Sequence, residues 1–187
     1  MKLFLIGFIF CFQSSFGQTD SLVHYFYKIG WTLKFPEEFK SIDPRNTFDT
    51  IKEESNTDSN LNIEFERHMI IMGKGNNAFC FTYFNSRDRS ITNENLDEAN
   101  SVFKNAFFDK FIKSNNIRDS ITTTETLQGI KFYKFKSPVL SVDSTPIYYT
   151  YLATLHNGYY ICLIYIFTDK IVGGELENMF KTSKFDK

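Results

Sequence analysis

The chain is 187 residues long with a formal net charge of −1 at pH 7, 42% hydrophobic residues and 18% aromatics. A near-neutral balance gives no electrostatic reason to expect nucleic acid or an anionic membrane as partner. The length fits one domain with a sizeable core, and 22 phenylalanines suit a β-rich one.

The start reads Met1-Lys2, then an almost wholly apolar stretch from Leu3 to Phe12, then Gln13-Ser14-Ser15-Phe16-Gly17. A basic start, a short apolar run and small residues before a polar one are the three parts of a secretory signal. The best cleavage point follows Gly17, with Ser15 in the other small-residue position. The apolar run is about ten residues and a membrane span needs about twenty. Phe8-Ile9-Phe10 before Cys11 are too bulky for lipid attachment, so Cys11 is expected to leave with the signal. The division is therefore a signal peptide over 1–17 and a single α+β domain over 18–187, exported to the periplasm or secreted. After cleavage no membrane span is expected. The longest later apolar run, Tyr159 to Phe167, suits a buried strand.

Trp31-Thr32-Leu33-Lys34-Phe35-Pro36 alternates apolar and polar and stops at a residue that cannot continue a ladder, which predicts a strand. Ser41 to Asn62 is polar and predicts a long loop, with a helical turn near Phe48 to Glu54. Glu64 to Met72 and Ala78 to Phe84 read as strands joined by Gly73-Lys74-Gly75-Asn76. The segment from Asn93 to Lys113 predicts a helix. Leu96, Ala99, Phe103, Ala106, Phe107 and Phe111 make its apolar stripe, and Thr92 or Asn93 its cap.

Gln128-Gly129 predicts a hairpin between Thr122 to Thr126 and Ile130 to Lys136. The alternation slips between Phe132 and Phe135, which suggests a bulge. Asn157-Gly158 is the strongest turn signal. It pairs His156 with Tyr159 and Ala153 with Cys162. One face then carries Ile147, Tyr149, Tyr151, Ala153, Leu155, Tyr160, Cys162, Ile164 and Ile166, the other Leu152, Ile161, Leu163, Tyr165 and Phe167. Both faces are apolar, so the hairpin belongs inside a sheet covered on both sides. Ile171 to Lys181 predicts a final helix buried through Leu176, Met179 and Phe180, with Phe185 as a last anchor. The sum is a mostly antiparallel β-sheet with helices packed on it.

This layout resembles the PsbP-like α/β/α sandwich superfamily, named for an extrinsic photosystem II subunit. The residues that carry the resemblance are Trp31-x-Leu33-x-Phe35-Pro36-x-x-Phe39 after an export signal, the Asn157-Gly158-Tyr159-Tyr160 turn, and Leu176-x-x-Met179-x-x-x-Ser183-x-Phe185 in the terminal helix and after it. A mid-chain amphipathic helix followed by two hairpins completes it. The resemblance covers nearly all of residues 18–187, and the polar stretch from Ser41 to Asn62 departs from the pattern. It implies a non-catalytic binding or accessory protein and carries over no binding residue.

The chain has no Gly-x-Ser-x-Gly elbow, and His24, His68 and His156 are far apart in sequence. Cys162 falls mid-strand on an apolar face, as a buried inert thiol would. A Cys80–Cys162 disulfide is the sharper alternative, since an oxidising compartment permits one if the strands are adjacent. Glu64, Glu66 and His68 alternate along an expected strand, so two carboxylates and an imidazole share one face and could hold zinc or manganese. A solvated strand face, where charged residues also blunt an edge, is the favoured account of them. Asp58-x-Asn60-x-Asn62-x-Glu64 imitates the start of a calcium loop, with Ile63 where glycine belongs. Gly73-Lys74-Gly75 lacks phosphate-loop spacing. Tyr25, Tyr27 and Trp31 are candidates to line a ligand groove, or to fill a core.

The expectation is a non-catalytic exported protein binding an unidentified protein or small ligand at the cell envelope, with no cofactor implied. The competing readings are a metal-assisted hydrolase using Glu64, Glu66 and His68, and a surface structural or adhesion subunit.

Overall fold

A computed structural model gives the structure of the chain. It describes residues 23–43, 69–112, 120–140 and 145–186, with side chains for all of these except 106–112 and 139–140. The expected signal peptide (1–17) and the expected helical turn near Phe48 lie outside the described residues.

The elements in chain order are β1 (Val23–Phe26), β2 (Trp31–Lys34), β3 (Lys40–Ile42), β4 (Ile70–Lys74), β5 (Asn77–Asn85), a 3-10 turn at Ser86–Arg89, α1 (Leu96–Ile112), β6 (Ile121–Leu127), β7 (Ile130–Leu140), β8 (Pro146–His156), β9 (Tyr159–Phe167), α2 (Lys170–Thr182) and β10 (Lys184–Phe185). A seven-stranded antiparallel sheet runs in the order β3-β4-β5-β9-β8-β7-β6, and a three-stranded antiparallel sheet runs β1-β2-β10. The fold is α+β and mostly antiparallel, as the sequence patterns imply.

The β8–β9 hairpin sits near the middle of the large sheet. Asn157 (φ 51°) and Gly158 (φ 77°) both take the left-handed backbone that a two-residue primed turn needs. The register that follows pairs His156 with Tyr159 and Ala153 with Cys162. Alternation then sends Leu152, Ile161, Leu163 and Tyr165 to one face and Ile147, Tyr149, Tyr151, Ala153, Tyr160, Cys162 and Ile166 to the other, each set in its own core cluster. The first cluster is roofed by α2, through Val172, Leu176, Met179 and Phe180, and by the small sheet, through Phe26, Trp31, Leu33 and Phe185. The second is covered by α1 through Leu96, Ala99 and Phe103. The rest of the expected α1 stripe, Ala106, Phe107 and Phe111, lies outside the described side chains.

Trp31 ties the roof together. Its ring stacks on Phe185 at 4.8 Å and 8°, and its indole N–H donates to Ser183 Oγ at 2.9 Å. Ser183 Oγ in turn donates to the Phe180 carbonyl at the end of α2. A buried indole with its one donor satisfied contributes its full apolar area, about 3 kcal/mol or more against exposure.

Four expectations need correction. Ser41 and Ile42, read as the start of a loop, lie in β3 and pair with Met72 and Ile71. The turn after β4 is tighter than Gly73 to Asn76. Gly73 stays in the ladder, Lys74 pairs with Asn77, and Gly75 (φ 56°) and Asn76 make the corner. The helix begins at Leu96, not Asn93. Asn95 accepts from the Thr92 amide and donates to the Ser90 carbonyl, so the preceding residues form a side-chain-bonded turn. The β6–β7 ladder has no bulge, since pairing is continuous from Ile121–Lys136 to Leu127–Ile130. Phe132 and Phe135 simply belong to opposite faces, and both faces are cores.

Candidate functional site

Strand β1 is an edge of the small sheet. Its alternation points Phe26 inward, against Phe81 at 4.4 Å, and leaves Val23 and Tyr25 outward. Tyr25 is 55% exposed and Tyr27, in the turn after the strand, is 72% exposed. Gly30 (φ 59°) closes that turn, and its carbonyl accepts from the Asp186 amide at 2.7 Å. The Asp186 carboxylate accepts from the Tyr25 hydroxyl, which raises the Tyr25 pKa above its ordinary value. The chain's last described residue therefore braces an exposed tyrosine on its first described strand.

Tyr27 adjoins a second pair of tyrosines. Tyr83 near the end of β5 and Tyr159 at the start of β9 meet edge to face at 5.8 Å, two places along from the register pair Asn85–Tyr159. Burial raises the Tyr83 pKa first, and the phenols of Tyr27 and Tyr159 raise it further. Tyr27, Tyr83 and Tyr159 thus bring three phenols to one end of the sandwich, beside the Asn157–Gly158 turn. Tyr27 is exposed, Tyr159 half-buried and Tyr83 buried, so the cluster offers aromatic area backed by the core, a chemistry that suits a protein or ring-bearing ligand.

Of the three aromatics singled out from sequence, Tyr25 and Tyr27 are at this surface and Trp31 is core, fully buried. Tyr83, Tyr159 and Asp186 were not legible, because only the strand order brings them next to Tyr25 and Tyr27. Glu64, Glu66 and His68 lie outside the described residues. Among the described residues no group of three or more His, Cys, Asp and Glu is placed to hold a metal.

His24 packs edge-on to Phe35 at 5.2 Å and His156 edge-on to Phe185 at 4.8 Å. Burial lowers the pKa of each. Cys80 and Cys162 are on adjacent strands and the same face, but Cys80 pairs with Ile164 and Cys162 with Thr82. They are diagonal neighbours, about 7 Å apart at Cα in such ladders. Both are free thiols in this structure, each pushed up to about 12, in both cases chiefly by burial. A thiol at that value is a poor nucleophile at neutral pH.

Beneath α1 lies a buried polar chain. The Tyr151 and Tyr160 hydroxyls are 2.7 Å apart, and Tyr160 donates to Asn100 Oδ1 at 2.7 Å. Burial pushes both phenols well above their usual range. These bonds fix the N-terminal part of the helix on the sheet, with Asn100 only 1% exposed.

The layering of α1, the seven-stranded sheet, and α2 with the small sheet is the PsbP-like α/β/α sandwich. The chain is similar to the solution structure of cyanobacterial PsbP (CyanoP) from Synechocystis sp. PCC 6803, with a TM-score of 0.56 over 93% of this chain and 99% of that one. The identity is 12%, so the likeness is one of fold. No family model and no curated protein matches the chain. No helix among the described residues is long and apolar enough to cross a membrane.

Proposed function

We propose that the chain is an exported, non-catalytic accessory protein that binds a protein or small ligand at the cell envelope through the tyrosine surface of Tyr25, Tyr27 and Tyr159, backed by the buried Tyr83. The observation that carries this reading is the exposure of Tyr25 and Tyr27, 55% and 72%, on a small edge strand and its turn. Large aromatics left in water cost the free molecule stability and recur as the anchors of binding surfaces. The PsbP-like fold supports an accessory role, and the signal pattern over 1–17 supports export. The burial-raised thiols favour binding over thiol chemistry.

Crosslinking in the native envelope, followed by mass spectrometry, tests it. Wild type recovers a reproducible partner, and a Tyr25→Ser/Tyr27→Ser variant loses it. A partner recovered equally by both, or none recovered by wild type, overturns the reading. The same preparation tests export: the chain then begins at Gln18, whereas a cytoplasmic chain retaining Met1 defeats that part. The alternative, a metal-assisted hydrolase with Glu64, Glu66 and His68 as ligands, falls if dialysed wild type holds no zinc or manganese.

A further inference from the structure

The two edges of the large sheet differ. The β3 edge is short, at three residues, and carries Lys40. Both are ordinary ways to keep an edge from pairing with another chain. The β6 edge is seven residues long, Ile121-Thr122-Thr123-Thr124-Glu125-Thr126-Leu127. It holds no lysine, proline or bulge, its pairing to β7 is unbroken, and among the described residues it pairs with β7 alone. Thr122, Thr123, Thr124 and Thr126 are exposed, and Ile121 is 57% exposed.

Hairpin geometry sets which backbone groups point outward. Leu127 and Ile130 flank a two-residue turn with Gln128 at φ 50° and Gly129 at φ 85°, so they exchange both ladder bonds. Alternation from that pair gives Glu125, Thr123 and Ile121 to β7. The N–H and C=O groups of Thr126, Thr124 and Thr122 point away from the sheet.

We propose that this edge pairs with the β6 edge of a second copy of the chain, antiparallel about a two-fold axis through Thr124. The strand is chemically symmetric about that residue except that Thr123 is matched by Glu125. Thr124 meets its own copy, Thr122 meets Thr126, Thr123 meets Glu125, and Ile121 meets Leu127. The three outward-pointing threonines are the ones that fall into hydrogen-bonded pairs, giving about six new backbone bonds. Thr–Thr pairs at such positions are favourable. Charge is also matched. Glu125 is the strand's only charged residue, and within its own chain it is neutralised by an ion pair with Lys134. Two copies therefore meet without net charge at the axis, and the seven-stranded sheets become one continuous sheet.

Sedimentation velocity over a concentration series tests this. Wild type is expected to sediment as a dimer at micromolar concentration. Thr124→Lys places two like charges across the axis and raises the dimer dissociation constant by about tenfold or more. Thr124→Pro removes an outward N–H that β7 does not use, and does the same. Circular dichroism confirms that each variant is folded; if the proline variant is not, the lysine variant decides. Tyr27→Ser lies outside β6 and leaves the dimer intact. A wild type that stays monomeric through 100-fold concentration, a dimer that survives Thr124→Lys, or one lost in Tyr27→Ser overturns the proposal. Because Tyr27→Ser also weakens the tyrosine surface, the two sites fail independently.

Discussion

Gly173 and Gly174 are adjacent in α2, yet they answer to different constraints. A Cβ on Gly173 would come within 2.3 Å of the Phe167 ring, which itself stacks on Tyr148 at 5.4 Å. A Cβ on Gly174 meets nothing within 4 Å. Gly173→Ala forces the ring or the helix to shift and should destabilise by about 1–3 kcal/mol. Gly174→Ala should stabilise by about 0.5–1 kcal/mol, from helix propensity alone. Urea unfolding of the two variants checks this, and equal midpoints would refute the close approach. Nothing in the sequence separates these glycines. The distinction arises only when α2 is laid on β9. Asn157-Gly158 is the opposite case, where two residues dictate a backbone and the backbone dictates a register of nine pairs. Trp31 was ambiguous between groove and core until Phe185 and Ser183 arrived from the far end of the chain.

Among the elements, those with a local cause were legible and those with a distant one were not. Pro36 ends β2's run, the glycine turns fix three hairpins, and α2 reads directly from Leu176, Met179 and Phe180. The misplaced start of α1 has a physical reason. Asn95 uses its amide on Thr92 and Ser90, which holds the preceding residues in a turn that competes with the helix. The unbroken β7 ladder has another: the strand borders two cores, so Phe132 and Phe135 are both buried on opposite faces without a bulge.

The contact of α2 with β7 is ionic as well as apolar. Glu177 on α2 bonds Lys136 and lies 3.6 Å from Lys134 on β7. Burial alone would raise the Glu177 pKa, but the hydrogen bond to Lys136 and the charges of Lys134, Lys136 and Lys181 more than offset it, so the value is lowered. A carboxylate whose pKa is depressed on folding stabilises the fold above its unfolded value, about 4.5, and that contribution is lost as pH falls through the folded value. Wild type should therefore exceed Glu177→Gln in stability at pH 7, and the gap should close towards pH 3. A gap independent of pH would show that the ion pairs do not hold the helix.

At the scale of the molecule, the sheet divides two cores that are stabilised differently. The α2 side is dense in aromatic contacts, among them Trp31–Phe81 at 5.4 Å, Phe132–Phe180 at 5.0 Å and Phe79–Tyr165 at 5.6 Å. The α1 side carries the Tyr151–Tyr160–Asn100 chain and both thiols. The fold class was legible from periodicity because each strand of the central hairpin is apolar on both faces. The tyrosine surface was half legible, since exposure can be guessed for a turn residue such as Tyr27 but not for partners drawn from three other strands.

The small sheet joins β2 to both β1 and β10, so residues 31 and 185 are register partners. Synthesis delivers residue 31 long before residue 185. Until Phe185 has emerged, the Trp31 ring has no stacking partner and the roof over the first core stays open. A nascent chain therefore cannot close this roof until residue 185 is available to it, however early the strands of the large sheet have formed. A chain stopped after Thr182 should remain protease-sensitive and show Trp31 fluorescence shifted towards water, where the full chain resists. Equal resistance would mean that the lock lies elsewhere.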